Sequence, residues 1–382
     1  APESSGPPPR APWLAGTDRA ALRLWLLTRV ATWVLVGCAG WLFVRDAGAA
    51  GPVPLLRRWA QWDWVHYQSI AEFGYGGNPE SGPLVPYEAF FPGFPLLLKA
   101  VHVVVPHWIV AGLLISLVAG GVAVVALGRL AEVEHPAGTG ERAVLLLLLA
   151  PTAVFLAAGY TEAIFLALAL PAWLMARRGD WARAALLAAG ACTIRVSGIF
   201  LAAALVVEFL TVAERRRWRS APWLALPALP VVGYMAYQYA RTGDWLAWLH
   251  AQQEEWHRGF TNPVQAFLHT WEAAFGGGQP PGFAWMFRAE MLAVLVGVAL
   301  TAVLLARRRW GEATFVGLQI VAFTTSYWYM SVPRAMLLWW PLWIWLAWWS
   351  IRRPAVLTAY LALVAPLMVA CTLNFAVGNW TG

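Results

Sequence analysis

Residues 107–130 read HWIVAGLLISLVAGGVAVVALGRL, an apolar run in which Arg129 is the only Lys, Arg, Asp or Glu. A helix rises about 1.5 Å per residue, so a run of this kind crosses the roughly 30 Å hydrocarbon core of a bilayer. It is not a lone anchor. Of the 382 residues, 60% are hydrophobic and 12% charged, with 26 Trp; mean hydropathy is +0.58. Soluble domains carry about 25% charged residues. Half that share over the whole length excludes a soluble enzyme with one anchor, a disordered chain, a disulfide scaffold and a nucleic-acid binder. The composition is that of an all-α polytopic membrane protein.

Outward from that run, candidate spans cover 20–44, 107–130, 142–158, 161–177, 183–195, 197–213, 221–241, 285–306, 312–330, 334–350 and 354–376. Basic clusters favour the cytoplasmic side. They fall at Arg10/Arg19/Arg23, Arg177/Arg178/Arg183, Arg215–Arg219, Arg307–Arg309 and Arg352/Arg353. With all five inside, the first span exits, and an odd number of crossings must precede Arg177. The stretch 90–105, interrupted by Pro92 and Pro95, is therefore read as a helix lying in the outer leaflet. Eleven spans follow, with the amino terminus inside and the carboxyl terminus outside. Residues 1–19 are expected to form a flexible cytoplasmic tail, not a cleavable signal. Residues 20–241 are expected to form one transmembrane module with an external loop at 45–106, 242–284 an external aromatic-rich loop, and 285–382 the last transmembrane helices. Arg195 interrupts 184–213, which reads as two short helices meeting near the outer face. Cys38, Cys192 and Cys371 lie far apart in apolar runs and read as buried thiols.

The polar residues gather on the outer side. In QWDWVHYQSIAEFGY, residues 61–75, helical spacing puts Asp63, His66, Tyr67 and Ile70 on one face, and Trp62, Trp64 and Tyr67 suit a membrane interface. A solvated Asp on an interfacial helix fits the same pattern. Lys99, the only Lys, fits either a snorkelling side chain or a contact to a lipid phosphate. Glu162, Arg195 and Arg334 stand at predicted outer helix ends, where ionisable groups face a cavity or a partner; a structural Glu162–Arg195 ion pair is one such solution. No Ser-His-Asp set, HExxH, Walker pattern or carboxylate cluster for a metal is present. One carboxylate that can act as a base, beside cations that can hold an anion, suits group transfer from a phosphate-activated lipid-borne donor to a hydroxyl. Asp63 would take the hydroxyl proton, and the cations would stabilise charge on the departing phosphate.

The strings WDWVHYQSIAEFGY, FFPGFPLL, PTAVFLAAGYTEAIF and CTIRVSGIF, in this order over residues 61–200, resemble the PIG-V family of mannosyltransferases, which includes GPI mannosyltransferase 2 and prokaryotic relatives. The Arg-rich, Lys-poor usage suggests a prokaryotic member. The resemblance implies a GT-C glycosyltransferase fold, about eleven transmembrane helices with juxtamembrane helices in the first external loop, and a polyprenyl- or dolichyl-phosphate-mannose donor. It implies inverting transfer to a glycolipid, glycan or protein hydroxyl without a metal or other cofactor. Asp63 corresponds to the family's catalytic base. His66 and Tyr67 would line the pocket, Glu162 would lie close to it, and Arg195 would hold the donor phosphate. Lys99 and Arg334 complete the candidate substrate-binding set. The chain departs from the family's RSNG-like motif, reading Arg195-Val196-Ser197-Gly198 without the Asn. A plasma-membrane location follows for a bacterial protein and an ER membrane for a eukaryotic one, with the site external or lumenal. A GT-C transferase for another lipid-phosphate sugar, and a lipid-linked sugar flippase, are the alternatives.

Overall fold

The computed structural model describes residues 16–43, 53–212 and 218–382. Most of the expected tail, part of the loop 45–106 and most of the Arg215–Arg219 cluster lie outside the described residues; Gly16 to Arg19 open the first helix. The helices are α1 (Gly16–Leu42), α2 (Asp63–Phe73), α3 (Gly93–His102), α4 (Trp108–Glu134), α5 (Thr139–Leu148), α6 (Thr161–Arg177), α7 (Trp181–Ile194) and α8 (Ser197–Thr211). They continue as α9 (Ala228–Thr242), α10 (Ala247–Trp256), α11 (Pro263–Phe275), α12 (Pro281–Ala306), α13 (Trp310–Thr324), α14 (Val332–Ala335), α15 (Trp340–Arg352) and α16 (Pro354–Ala376). Among the described residues there is no strand, only an isolated bridge between Asn78 and Gly82.

Helices α1, α4, α12 and α16 are long and apolar enough to cross a membrane. The other expected spans are shorter or broken, and the breaks follow proline. Pro151 ends the run 142–158, which is α5 followed by a 3₁₀ turn at Ala153–Leu156. Pro222 and Pro227 split 221–241 into a 3₁₀ segment and α9. Pro333 and Pro341 divide 334–350 into α14, a 3₁₀ turn and α15. A missing N–H and a fixed φ suit Pro227, Pro333 and Pro341 to the helix starts where they stand, whereas Pro222 lies within its 3₁₀ segment. The chain also breaks at Arg195, between α7 and α8, as expected. The loop 242–284 contains two helices, α10 and α11.

Helix α4 packs against α1, α5 and α6 through small residues on its buried side. Gly112, Ser116, Gly120 and Gly128 are all buried. A Cβ on Gly120 would lie 2.2 Å from the Trp25 indole of α1, and one on Gly140 of α5 would lie 2.6 Å from the Gly128 carbonyl oxygen. Ser116 donates to the Ala158 carbonyl at 2.6 Å. Close backbone approach through small residues is how helices associate in apolar surroundings.

The bundle has two charged ends. At one, Arg177 at the end of α6 pairs with Glu134 of α4 and with Glu208 of α8, at 3.1 Å for the latter. Arg309 bridges Glu134 at 2.6 Å and Glu312. Asp18 of α1 accepts two 2.9 Å bonds from Arg129 of α4. The basic residues Arg129, Arg177 and Arg309 thus share one end. Glu162, at the opposite end of α6 and roughly 23 Å away by helical rise, belongs to the other.

Candidate active site

Asp63 opens α2 directly after Trp62, whose backbone holds φ 50°, ψ −120°. A bulky side chain at positive φ is strained, and its neighbours hold it there. The Tyr160 hydroxyl donates to the Gln61 carbonyl. The Trp62 indole donates to the Asn379 carbonyl at 3.3 Å. Trp64 is the wedge: it is 1% exposed and fills a slot floored by Gly112 and Gly159, where a Cβ would stand 2.3 and 2.4 Å from its ring. Gly159 belongs to the AAGYTE string, which gives that glycine a steric reason. Trp64 and Tyr67 are therefore packing residues of the core, correcting the expected interfacial placement. Only Trp62, 43% exposed, suits an aromatic belt.

Arg334 joins the site's carboxylates. Its Nη1 donates to Asp63 Oδ2 at 2.6 Å and its Nε to Glu162 Oε1 at 2.6 Å. Its guanidinium lies 4.7 Å from the Phe155 ring centroid and 4.8 Å from that of Tyr160. Arg195 Nη1 donates to the same Glu162 oxygen at 2.7 Å. The Arg195 turn is held by two close approaches: a Cβ on Gly198 would meet the Cys192 backbone at 2.5 Å, and one on Gly93 of α3 the Thr193 hydroxyl at 2.3 Å. The sequence-expected Asp63, Glu162, Arg195 and Arg334 thus form one continuous chain of ion pairs.

The two carboxylates differ in access. Glu162 is fully buried between two guanidinium groups, its Oε2 without a partner. The Asp63 side chain is 26% exposed, so Asp63 is the one a substrate hydroxyl can approach. Tyr67 packs edge-on against Phe90, Phe94 and Tyr160. Burial, reinforced by the Asp63 charge, pushes the Tyr67 and Tyr160 phenols up and keeps both protonated. His66 sits 5.2 Å from the Phe90 ring with its Nδ1 buried and unpartnered. Burial lowers its imidazole, against the opposing pull of Asp63 and Glu255. Lys99 is exposed on α3, and none of the site's ion pairs includes it. Of the aromatic loop residues, Trp256 and Trp248 pack on Phe90 and Phe91, roofing the site.

Two residues of this end were not expected from the sequence. Glu290 of α12, fully buried, accepts from the Ser331 and Val332 amides at 2.8 and 2.7 Å, fixing the left-handed Ser331 turn that presents Arg334. A carboxylate inside an apolar run was its signal. Half-buried Arg258 reaches the Met330 carbonyl at 3.5 Å. Burial, then the nearby Arg195 charge, lowers its guanidinium to about 10, with Glu290 and Asp63 opposing. It stays cationic at neutral pH.

A helical membrane bundle whose accessible carboxylate is joined through buried Arg334 and Glu162 to half-buried Arg195 is the class that fold and site define. Residues 54–214 match the family model described as Mannosyltransferase (PIG-V). Over that segment the chain is similar to the PIG-V mannosyltransferases. The GPI alpha-1,6-mannosyltransferase 2 of Mus musculus is 34% identical over 196 residues, 48% of this chain and 37% of the relative. That of Rattus norvegicus is 36% identical over 159 residues, 38% of this chain and 30% of the relative. The matched segment thus spans about a third of these relatives' length. The crystal structure of the Archaeoglobus fulgidus oligosaccharyltransferase complex with Zn and sulfate aligns over 94% of this chain and 53% of its own, at TM-score 0.42 and 12% identity. That likeness is too slight to carry an argument.

Proposed function

We propose that the chain is a GT-C membrane mannosyltransferase. It moves mannose from polyprenyl- or dolichyl-phosphate-mannose to a hydroxyl of a glycolipid or glycan on the external or lumenal face. The supporting observation is the accessible Asp63 carboxylate joined through Arg334 to Glu162 and Arg195 at the end of the bundle opposite Arg177 and Arg309. The family and the names of its curated relatives support mannose as the sugar. In this reading the amino terminus lies inside, and α1 as the first crossing carries Asp63 to the outer side.

In this reading Asp63 removes the acceptor hydroxyl proton, and the oxygen bonds to the mannose anomeric carbon as the bond to the lipid phosphate breaks. A single displacement with one base inverts the anomeric centre, by analogy with inverting glycosidases. Arg195 and Arg258 neutralise the departing phosphate, Arg334 and Glu162 hold Asp63 and Arg195 in place, and His66 and Tyr67 line the pocket. The reaction so drawn uses no metal or other cofactor.

Arg195→Ala tests the phosphate contact. Hydrogen bonds to charged groups contribute about 1.5–3 kcal/mol, so the donor KM rises by roughly 10- to 100-fold while the acceptor KM changes little. Equal rises for donor and acceptor would remove Arg195 from phosphate binding. Gly159→Ala tests the wedge that sets Asp63. Overpacking against Trp64 costs about 1–3 kcal/mol and lowers turnover, read from thermal unfolding and transfer rate together. Wild-type values for both would show that the slot has room to spare.

A further inference from the structure

The buried face of α1 carries a charge that the candidate site does not use. Ala21, Trp25, Arg29, Thr32, Val36 and Ala39 follow at three- and four-residue spacing and are buried, whereas Leu26, Leu27, Val30 and Val34 are exposed. Arg29 is 7% exposed. Its guanidinium lies 4.1 Å from the Trp25 ring centroid, and its Nη2 donates to the Thr28 hydroxyl only at the long distance of 3.5 Å. Its Nε and Nη1 are buried without an acceptor. The ion pairs among the described residues do not include it.

Arg29 lines an open cleft of about 180 Å³ whose other walls are apolar or aromatic, among them Trp33, Leu56, Leu113, Leu117 and Ala157. That is smaller than the roughly 300–1,000 Å³ of sites that enclose a whole small ligand, and suits a lipid held by part of its surface. Trp33, Leu114 and Leu117 on its rim are 36–39% exposed, so the cleft opens sideways onto apolar surface. The 3₁₀ turn Leu55–Trp59 descends beside it, with Trp59 packed on Trp33 at 5.0 Å. The first loop thus reaches within one helical turn of Arg29 and gives a polar head group a route to it.

An ionisable side chain inside a spanning helix faces a partner or a cavity, and unpaired guanidinium N–H groups on two edges call for the oxygens of an acidic ligand. We infer that this cleft binds an acidic phospholipid: its phosphate oxygens accept from Arg29 Nε and Nη1, and a hydrocarbon chain lies along α1 and α4. The sideways apolar opening selects a lipid over a soluble anion. Arg29 has no ion pair with the Asp63–Arg334–Glu162–Arg195 chain, so the inference is independent of the transfer reaction.

The test titrates delipidated protein with phosphatidylglycerol or phosphatidylcholine of identical chains, followed by native mass spectrometry. The wild type is expected to prefer phosphatidylglycerol by about tenfold or more, the scale of one charge-assisted contact. Arg29→Met, which keeps length and adds no charge to the span, is expected to bind both lipids alike. Leu113→Trp, which fills the cleft and leaves Arg29 in place, is expected to lose the preference too. A wild type without preference, or either variant retaining it, overturns the site. Polyprenyl phosphate in equal amount is expected to leave phosphatidylglycerol bound; displacement would assign the cleft to another lipid phosphate and overturn the phospholipid.

Discussion

Asp63→Asn lowers turnover by about 100- to 10,000-fold, the range for loss of a general base, while the donor KM stays near wild type. Asparagine keeps the shape, and its carbonyl oxygen can still accept from Arg334 Nη1, which reaches Asp63 Oδ2 at 2.6 Å. What it loses is the capacity to take a proton. The matching Glu162→Gln is not an equivalent experiment, because Glu162 is fully buried and compensates two guanidinium groups. Steady-state kinetics with varied donor, alongside thermal unfolding, separates the outcomes. An unchanged unfolding temperature with collapsed turnover identifies the base; near-normal turnover removes Asp63 from that role.

Arg334→Met carries the largest expected stability effect together with a large loss of activity. Arg334 is 9% exposed and contacts both Glu162 and Asp63. Removing one partner of a buried ion pair costs about 3–5 kcal/mol, because the other charge stays buried uncompensated. Arg334→Lys retains a charge, but a single ammonium on a flexible stem does not reproduce the planar fork that reaches two carboxylates at once. It is expected to recover stability more than turnover. Adding Glu162→Gln to Arg334→Met removes the uncompensated carboxylate, so the double variant should lose less stability than the sum of the singles. Additive losses in denaturant or thermal unfolding would mean that the pair is not coupled.

Much of the site was legible because its signals are local. Helical spacing put Asp63 and Tyr67 on one face, and a charge in an apolar run marked Glu162 and Arg195. The break between α7 and α8 followed from Arg195 lying between two basic ends. What escaped was set by long-range packing. Glu290 meets its amide partners 41 and 42 residues later in the chain, and no local pattern announces such a pairing. Trp64 looked interfacial because its burial depends on glycines 48 and 95 residues away, Gly112 and Gly159. Lys99 stands exposed on α3 and takes part in none of the site's ion pairs. The apolar content of 142–158, 221–241 and 334–350 predicts continuous spans, whereas the structure breaks each of them near a proline.

The central claim is mannose transfer from a lipid phosphate, and the direct measurement uses purified protein in lipid nanodiscs with glycolipid acceptors. Radiolabelled polyprenyl-phosphate-mannose is supplied in one reaction and GDP-mannose in another, with Asp63→Asn beside the wild type. Labelled glycolipid is expected from the lipid donor with wild-type protein alone, and none from GDP-mannose. Transfer from GDP-mannose, or equal transfer by Asp63→Asn, would contradict that claim.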